Sequence, residues 1–341
     1  MHMKDTYKFS IVMAIYNMED YLEEAILSVI HQDIGFEKNV QLILVNDGSF
    51  DKSDVICKKY RDLYTDNIIY IKKQNGGVSN ARNEGIKFTN GKYINFLDAD
   101  DKLEKHVLTK VYEFFAKVYN VVDIVSIPIE FFEGKTGEHI LNYKYIKGTR
   151  IIDLTEEYAS IQLSASSSFF KGNLKDKIKF EENMQYAEDA YIINKILLKT
   201  NKLGVVSECK YLYRFRKKLS SAIQTGNMKK EWYLNYITTF SLNLIKYCKY
   251  INYKIPTFIQ YTIMYDLQWR VNSLKTINSV LNKKEIEKFF LEFIYIIKNI
   301  DFKIIWKQKN IRVHRKFILL IIKVNKLKLI RNMLINILIR I

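Results

Sequence analysis

Short apolar runs alternate with amphipathic stretches through the first 130 residues of the chain. Each run is five to seven residues long and almost continuously apolar, which is the pattern of a strand buried on both faces. The stretches between the runs place their apolar residues at helical spacing. The predicted strands are 9–15, 40–45, 68–72 and 91–97, and the predicted helices are about 20–31, 51–63, 78–88 and 104–118. This alternation predicts an α/β fold with a Rossmann-like, mainly parallel, doubly wound sheet flanked by helices.

The second half of the chain changes character near residue 220. Between 130 and 185 the signals are short and mixed, whereas beyond about 228 the pattern is helical throughout. The elements predicted here are a strand at 121–129, a helix at 186–198, a strand at 210–216 and helices at 231–250, 257–274 and 285–298. We therefore predict an α/β domain over residues 1–220 and an all-helical C-terminal domain over residues 221–341.

The composition is that of a folded protein without export signals. Hydrophobic residues make up 48% of the 341 positions and aromatic residues 14%, which argues against disorder. The three cysteines, Cys57, Cys209 and Cys248, lie far apart and are expected to be reduced packing residues of a cytosolic protein. The first residues lack the apolar core of a signal peptide, so export is not indicated.

The charge is concentrated at the C-terminus. The formal net charge is +17, and residues 302–341 contain eleven lysines and arginines and no Asp or Glu. Taking this +11 from the total leaves only +6 for the first 301 residues. The basic character of the protein is therefore a property of its tail.

Three carboxylates follow the predicted strand that ends at Leu97. Asp98, Asp100 and Asp101 occupy the place where ligands bind in open α/β sheets, at the carboxyl end of a buried strand. Two acids with one residue between them can direct oxygens at a hard divalent cation, which also keeps substrate phosphates in its shell. In isolation such a pair is more often a solvated acidic turn, so the other motifs decide its interpretation.

Five motifs in this order resemble those of glycosyltransferase family 2, the inverting, sugar-nucleotide-dependent enzymes of the GT-A fold. The resemblance covers roughly residues 7–220 and is closest to bacterial transferases that build capsule, teichoic-acid-like or other surface polysaccharides. The motifs are Phe9-Ser-Ile-Val-Met-Ala-Ile-Tyr-Asn17, Val45-Asn-Asp-Gly-Ser-Phe-Asp51, Asn75-Gly-Gly-Val-Ser-Asn-Ala-Arg-Asn-Glu-Gly85, Phe96-Leu-Asp-Ala-Asp-Asp101 and Ala187-Glu-Asp189.

The resemblance implies a donor site for a UDP-sugar. Asp47 would accept the imide N–H of uracil, although an Asp-Gly turn alone is more often structural. Tyr16 would stack on the base or serve as a packing aromatic, and Ala14, two residues earlier in the same motif, is also expected to bind the substrate. Arg82 would reach the diphosphate or the aspartates; the alternative is a solvated helix charge.

The resemblance also implies a metal site that takes Mn²⁺ or Mg²⁺. Asp100 is expected to ligate the cation directly, and Asp98 to meet both the ribose and the metal shell. Asp101 is expected to be structural or to cap the following helix. The cation would stabilise the nucleotide diphosphate leaving group as a Lewis acid.

The catalytic base is expected in the motif that opens the helix near residue 186. A carboxylate that takes the proton of the acceptor hydroxyl contributes roughly 10²–10⁴-fold to the rate. The resemblance favours Asp189 for this role and leaves Glu188 to bind a donor or acceptor hydroxyl. Glu188 as the base remains an alternative, and so do two acids that merely favour a helix N-terminus.

A basic cluster follows the strand predicted at 210–216. Many relatives have a histidine here that contacts phosphate or metal, but none of the five histidines of this chain lies in the cluster. Arg216 or Lys218 would have to contact the diphosphate instead. The cluster comprises Arg214, Arg216, Lys217 and Lys218, followed by Ser220 and Ser221.

The basic tail is too interrupted to cross a membrane. Its longest apolar run, Phe317–Ile322, has six residues, whereas a span needs about 20. On a helix, an apolar stripe over 327–341 faces away from Lys328 and Arg340, which suits an anionic membrane surface. We therefore predict a peripheral membrane contact through residues 311–341. The alternatives are a helix packed on its own domain or on a second subunit and, with no accompanying motif, a nucleic-acid patch.

These observations predict a metal-dependent inverting glycosyltransferase, with a hexosyl or N-acetylhexosaminyl donor. The acceptor would be a growing surface glycan or polyol-phosphate polymer at the inner face of the cell membrane; no nucleic-acid partner is expected. A nucleotidyltransferase would show a glycine-rich loop after the first strand, where this chain has Tyr16-Asn17-Met18-Glu19. The remaining alternative is a non-catalytic transferase-like module for assembly or membrane targeting.

Overall fold

The computed structural model describes residues 7–216, 228–252, 254–324, 335 and 337–340, and these form two compact units. The first unit comprises the described residues within 1–153, 162–182 and 192–217. The second comprises those within 154–161, 183–191 and 218–341. Two short segments that lie before residue 192 thus belong to the unit formed by the C-terminal helices.

The first unit contains the strands of two sheets. In chain order they are β1 (Tyr7–Ile15), β2 (Val40–Asn46), β3 (Ile68–Lys72), β4 (Gly91–Phe96), β5 (Lys102–Leu103), β6 (Ile124–Ser126), β7 (Ile129–Glu133), β8 (Gly137–Glu138), β9 (Arg150–Asp153), β10 (Ser168–Lys171), β11 (Lys202–Val205) and β12 (Tyr211–Phe215). The large sheet has the order β3-β2-β1-β4-β10-β6-β11-β9, and the small sheet has the order β5-β12-β7-β8.

The helices of the chain are named in the same way. They are α1 (Leu22–Ile30), α2 (Phe36–Asn39), α3 (Ser53–Leu63), α4 (Val78–Ile86), α5 (Val107–Val118), α6 (Glu188–Thr200), α7 (Lys230–Tyr236), α8 (Asn243–Asn252), α9 (Thr257–Asn272), α10 (Ile277–Val280), α11 (Lys283–Lys298), α12 (Phe302–Trp306) and α13 (Val313–Val324). A π-helical turn, Ile237–Leu242, joins α7 to α8, and 3₁₀ turns lie at Ile140–Tyr145, Gly172–Lys177 and Leu274–Thr276.

The α/β fold predicted from the sequence is confirmed, with a mixed large sheet. Strands β3, β2, β1 and β4 are mutually parallel, and their central members are buried as continuous apolar runs require. Strand β10 is antiparallel to β4 and β6, and β9 is antiparallel to β11. Both antiparallel strands have only four residues, too few for a readable period.

Two predicted element bounds differ from the structure for identifiable reasons. The strand expected at 121–129 is divided into β6 and β7 because Pro128, which has no N–H to give to a ladder, lies between them. Its carbonyl accepts a hydrogen bond from the Tyr211 N–H at 2.9 Å. The helix expected from 104 begins at Val107 because residues 102–103 pair with β12 as β5.

Helix α4 packs closely on the large sheet. A Cβ atom on Gly85 would lie 2.4 Å from the Val12 side chain, so only glycine permits this approach. Helix α4 packs on β1 and β2, and it begins directly after Gly76 and Gly77. Its first two turns therefore lie beside the carboxyl ends of those strands.

The second unit has an aromatic core that includes a buried arginine. The Arg270 guanidinium lies 3.8 Å from the Trp232 ring centroid and 3.5 Å from that of Tyr236, and it forms an ion pair with Asp266. The Tyr186 ring meets Trp232 edge-to-face, with ring centroids 5.5 Å apart. The segment 183–191 is thereby packed on α7.

Candidate active site

The carboxyl ends of β1, β2 and β4 form one edge of the large sheet. In the parallel register Ile15 pairs with Asn46, and Val12 pairs with Phe96. The residues that follow these strands, including Asp47 and the acidic motif, are therefore brought to the same edge. This edge is where open α/β sheets bind ligands.

Asp47 is buried and its carboxylate is held by the turn after β3. Oδ1 accepts hydrogen bonds from Lys73 Nζ at 2.6 Å and from the Gly76 N–H at 2.9 Å. Oδ2 accepts from the Gly77 N–H at 2.8 Å and from the Gly76 N–H at 3.1 Å. Asp47 thus fixes the loop that leads into α4, and a nucleotide base at this carboxylate would share an acceptor that these groups already use.

Arg82 connects α4 to the acidic motif. Its side chain is buried, and Nη2 donates to Asp98 Oδ1 at 2.8 Å while the guanidinium lies 5.2 Å from the Phe180 ring centroid. The second oxygen of Asp98 accepts from Ser166 Oγ at 3.1 Å. The Asp98 side chain nevertheless remains 33% exposed, so it can still meet a ligand.

Asp100 is paired with Arg216. Both Nε and Nη2 of the guanidinium donate to Asp100 Oδ2, at 2.9 and 2.5 Å. Burial and the negative charge of Asp98 raise the pKa of the Asp100 carboxyl, and the Arg216 charge opposes that rise. Arg216 therefore favours the ionised carboxylate at a place where burial favours the protonated form.

Strand β12 holds the end of the acidic motif through Asp101. Its carboxylate accepts from Tyr211 OH at 2.6 Å and from the Arg214 N–H at 2.7 Å, while Arg214 Nε donates to the Asp100 carbonyl at 2.7 Å. The remaining guanidinium nitrogens of Arg214 bind Glu24 and Glu133. Asp101 is thus structural and does not cap the following helix, whose N-cap is His106.

Two exposed aromatic rings flank the same edge. Tyr16 follows β1 and meets Phe50 edge-to-face, with ring centroids 6.1 Å apart. Asn17, with a φ of 54°, turns the chain here, and its side-chain oxygen accepts from the Phe50 N–H. Ala14 is half-buried in β1, two residues before Tyr16. The rings present flat apolar surfaces of the kind on which a nucleobase stacks.

The acidic motif fits a cation that also needs substrate oxygens. The side chains of Asp98 and Asp100 are 33% and 20% exposed, and among the described residues the hydrogen bonds of the Asp100 carboxylate all go to Oδ2. No cage of three or more His, Cys, Asp or Glu side chains exists within the part of the chain that the structure describes. Mg²⁺-type ions are commonly held by one or two carboxylates together with substrate phosphates.

The acids expected to supply the base begin α6. Glu188 and Asp189 lie in its first turn, directly after Ala187, which has a φ of 64°. Both belong to the second compact unit, whereas Arg82, Asp98, Asp100 and Arg216 are brought together in the first. Lys218, the other candidate for the diphosphate contact, lies outside the described residues.

Two contributors to the site carry no motif of their own. Ser166 binds Asp98 from a segment, 164–168, in which four of five residues are serine, and Lys73, which directly follows β3, binds Asp47. The clustered serines and the lysine before the Asn-Gly-Gly turn are the available signals. Neither indicates which carboxylate it meets.

Sequence comparisons identify relatives of the chain. A family model described as Glycosyl transferase family 2 matches residues 10–175. The minor teichoic acid biosynthesis protein GgaB of Bacillus subtilis (strain 168) is 46% identical over 305 residues, which cover 89% of this chain and 34% of GgaB. GgaA of the same organism, also a minor teichoic acid biosynthesis protein, is 35% identical over 324 residues, covering 93% of this chain and 72% of GgaA. The chain thus spans about a third of the first relative and nearly three quarters of the second.

A solved structure shares the fold. The crystal structure of S. aureus TarS 1–349 in complex with UDP-GlcNAc matches with a TM-score of 0.72 over 98% of this chain and 89% of that chain. The sequence identity is 19%, so this match establishes likeness of fold.

Proposed function

The chain belongs to glycosyl transferase family 2, and from that membership we propose that it is a metal-dependent, inverting glycosyltransferase. It would move a hexosyl or N-acetylhexosaminyl group from a UDP-sugar to a hydroxyl of a cell-surface glycan or polyol-phosphate polymer. The relatives named for minor teichoic acid synthesis support a polymer acceptor of this kind.

The observation that carries the proposal is the grouping of Arg82, Asp98, Asp100 and Arg216 at one sheet edge. Two carboxylates and two guanidinium groups meet there, with exposed aromatic surface near by. Carboxylates suit a divalent cation, and guanidinium groups suit phosphate oxygens. A nucleotide diphosphate with its metal ion needs both chemistries side by side.

The acidic residues of the site would bind the metal ion, and the basic residues would bind the phosphates. Asp100 and Asp98 would hold Mn²⁺ or Mg²⁺, which when bound supplies Lewis-acid stabilisation to the departing diphosphate. Arg216 and Arg82 would bind phosphate oxygens, and Tyr16 would stack on the base. Asp47 would hold the loop before α4 and contact the uracil. Family members often use a divalent metal, which supports this assignment.

Asp189 would act as the general base. The carboxylate would take the proton of the acceptor hydroxyl while the hydroxyl oxygen attacks the anomeric carbon of the donor sugar. The bond between that carbon and the diphosphate oxygen would break on the opposite face. A single displacement inverts that carbon and needs no covalent intermediate. Glu188 would then bind a sugar hydroxyl.

The acceptor polymer would be met at the inner face of the cell membrane, to which the enzyme would bind peripherally. No helix among the described residues is long and apolar enough to cross a bilayer.

A panel of nucleotide sugars tests the proposal. Thermal unfolding of the full chain is measured with each sugar in the presence and absence of Mn²⁺, because a ligand that binds only the folded state raises Tm. A UDP-sugar should raise Tm more with Mn²⁺ than without it, and the same sugar should be hydrolysed slowly in the absence of acceptor. Stabilisation by no nucleotide sugar under either condition would exclude the proposed donor site.

A further inference from the structure

Helix α13 is apolar on two opposite sides. One side packs into the second unit through Ile318, Leu319 and Ile322, which are buried. The other side carries a stripe of exposed apolar residues at spacings of four, four and three. Its members and exposed fractions are Val313 (57%), Phe317 (53%), Ile321 (43%) and Val324 (60%). A surface helix of a globular protein normally places polar residues on this side.

Helix α12 extends the exposed apolar stripe. Phe302 is 50% exposed and Trp306 46% exposed, whereas Ile304 and Ile305 between them are fully buried. The Trp306 and Phe317 rings meet edge-to-face, with centroids 5.4 Å apart. The six exposed side chains of the two helices therefore form one surface, which we call the α12–α13 face: Phe302, Trp306, Val313, Phe317, Ile321 and Val324.

Basic side chains border this face. Lys316 Nζ donates to the Trp306 carbonyl at 2.7 Å, and Lys323 Nζ lies 5.3 Å from the Phe302 ring centroid. Lys303, Lys307 and Arg312 lie in the same two helices or the turn between them. No acidic residue follows Asp301 in the sequence. Asp301, whose charge acts on Lys323, is an acid beside this face, and the border is otherwise built from lysine and arginine. Apolar surface with a predominantly cationic border matches the interface of an anionic bilayer.

We propose that the α12–α13 face docks on an anionic lipid surface, with Trp306 and Phe317 entering the boundary between headgroups and acyl chains. This inference rests on the proposed function, in which the enzyme binds the membrane peripherally. It assigns that binding to a folded surface that begins at Phe302, before the tail segment 311–341. Contact with a second copy is disfavoured because a two-fold interface would oppose two identical basic borders. Tryptophan is enriched at the depth where bilayer and water meet.

Vesicle co-sedimentation of the full chain tests this surface without donor or acceptor. Vesicles of phosphatidylglycerol mixed with phosphatidylcholine should bind the parent protein, and vesicles of phosphatidylcholine alone should bind it much less. The double variant Trp306→Ser/Phe317→Ser should partition at least about tenfold more weakly, because each ring loses apolar area that the bilayer would bury. Tyr250→Ser, which removes an aromatic that is 85% exposed in the same unit, is the matched control and should bind like the parent.

The readouts separate this proposal from the transferase assignment. Transfer to a soluble acceptor should be unchanged in both variants, since the exposed rings lie outside the site described above. Equal binding of the parent and the double variant, or no binding by the parent, would overturn the proposal. It would also be overturned if sedimentation velocity showed a parent dimer that the double variant converts to a monomer without any vesicle binding. Vesicle binding without UDP-sugar turnover would overturn only the transferase assignment.

Discussion

Asp100 and Arg216 form a charge pair with which a metal ion at the proposed site would compete. Nε and Nη2 of the guanidinium both donate to Oδ2, one of the two oxygens with which Asp100 would hold a cation. A cation that takes this oxygen displaces Arg216, and the displaced guanidinium is then free to bind a phosphate. Ligand binding would therefore exchange one positive partner of Asp100 for another.

Asp100→Asn should abolish sugar transfer and remove the effect of Mn²⁺ on UDP affinity, because the amide is a much weaker cation ligand. Calorimetric titration of UDP with and without Mn²⁺ measures this. Arg216→Gln is the matched variant. It should bind Mn²⁺ alone about tenfold more tightly than the parent, since charge-assisted hydrogen bonds to Asp100 no longer compete. Identical UDP affinities of the parent and Asp100→Asn under both conditions would remove Asp100 from the metal site.

Asp189→Asn should retain donor and metal binding and lose roughly 10²-fold or more of turnover, the usual scale of general-base catalysis. Glu188→Gln is the control from the same helical turn and should mainly raise KM. Steady-state kinetics with a soluble acceptor distinguishes the two. Near-normal turnover of Asp189→Asn together with a loss in Glu188→Gln would transfer the role of base to Glu188.

At the scale of elements, the first turn of α6 depends on the helical unit. Tyr186 precedes it by two residues and contacts Trp232, which in turn stacks on Arg270. The Asn235 side chain donates to the Asn183 carbonyl at 3.3 Å, which ties down the start of the same segment. The segment that carries Asp189 is thus held by residues that lie about 40 to 80 positions later in the chain.

Tyr186→Ala should lower kcat about tenfold or more while leaving the KM for the donor unchanged, because a small displacement of a catalytic group is costly. Tyr186→Phe keeps the ring contact and should restore the parent rate. Kinetics of the two variants, with thermal unfolding to confirm that both are folded, checks this. Equal kcat in all three proteins would show that the ring contact does not position the base.

The sequence predicts some elements of the fold and not others, depending on their length and burial. Strands β1 to β4 are predictable because buried parallel strands are continuous apolar runs, and acids directly after such a strand indicate a site. Strands β9 and β10 are not, since four residues cannot show a period. The hydrogen bonds of Ser166 to Asp98 and of Lys73 to Asp47 likewise depend on pairings distant in sequence. The exposed stripe of α13 could be recognised only from the exposure of its side chains in the structure, because the sequence of a helix that is apolar on both sides predicts a buried helix.

At the scale of the whole molecule, the two compact units do not follow one another along the sequence. Residues 154–161 and 183–191 lie early in the sequence but cluster with the described residues that follow 227. A protein ended after residue 229 would keep every described residue of the acidic site and lose the helices on which 183–191 packs.

Such a shortened protein, residues 1–229, should show no sugar transfer, because the segment that carries Asp189 has lost Trp232 and Asn235. Co-production with residues 230–341 should restore part of the activity by supplying these contacts. Transfer to a soluble acceptor in purified samples measures both effects. Full activity of residues 1–229 alone would show that the proposed base is positioned without the helices.

The alternation of the chain between its two units also sets an order of events during synthesis. Segment 183–191 leaves the ribosome about 80 residues before Arg270, which at about 5–20 residues per second is a delay of roughly 4–16 s. The acidic motif and Arg82 are complete long before this, so a nascent chain can assemble the residues proposed to bind cation and phosphate while the segment bearing Asp189 still lacks Trp232 and Arg270. If Asp189 is the base, a chain becomes competent for catalysis only after its C-terminal helices have been made, and premature termination yields proteins that lack the contacts that hold the segment 183–191.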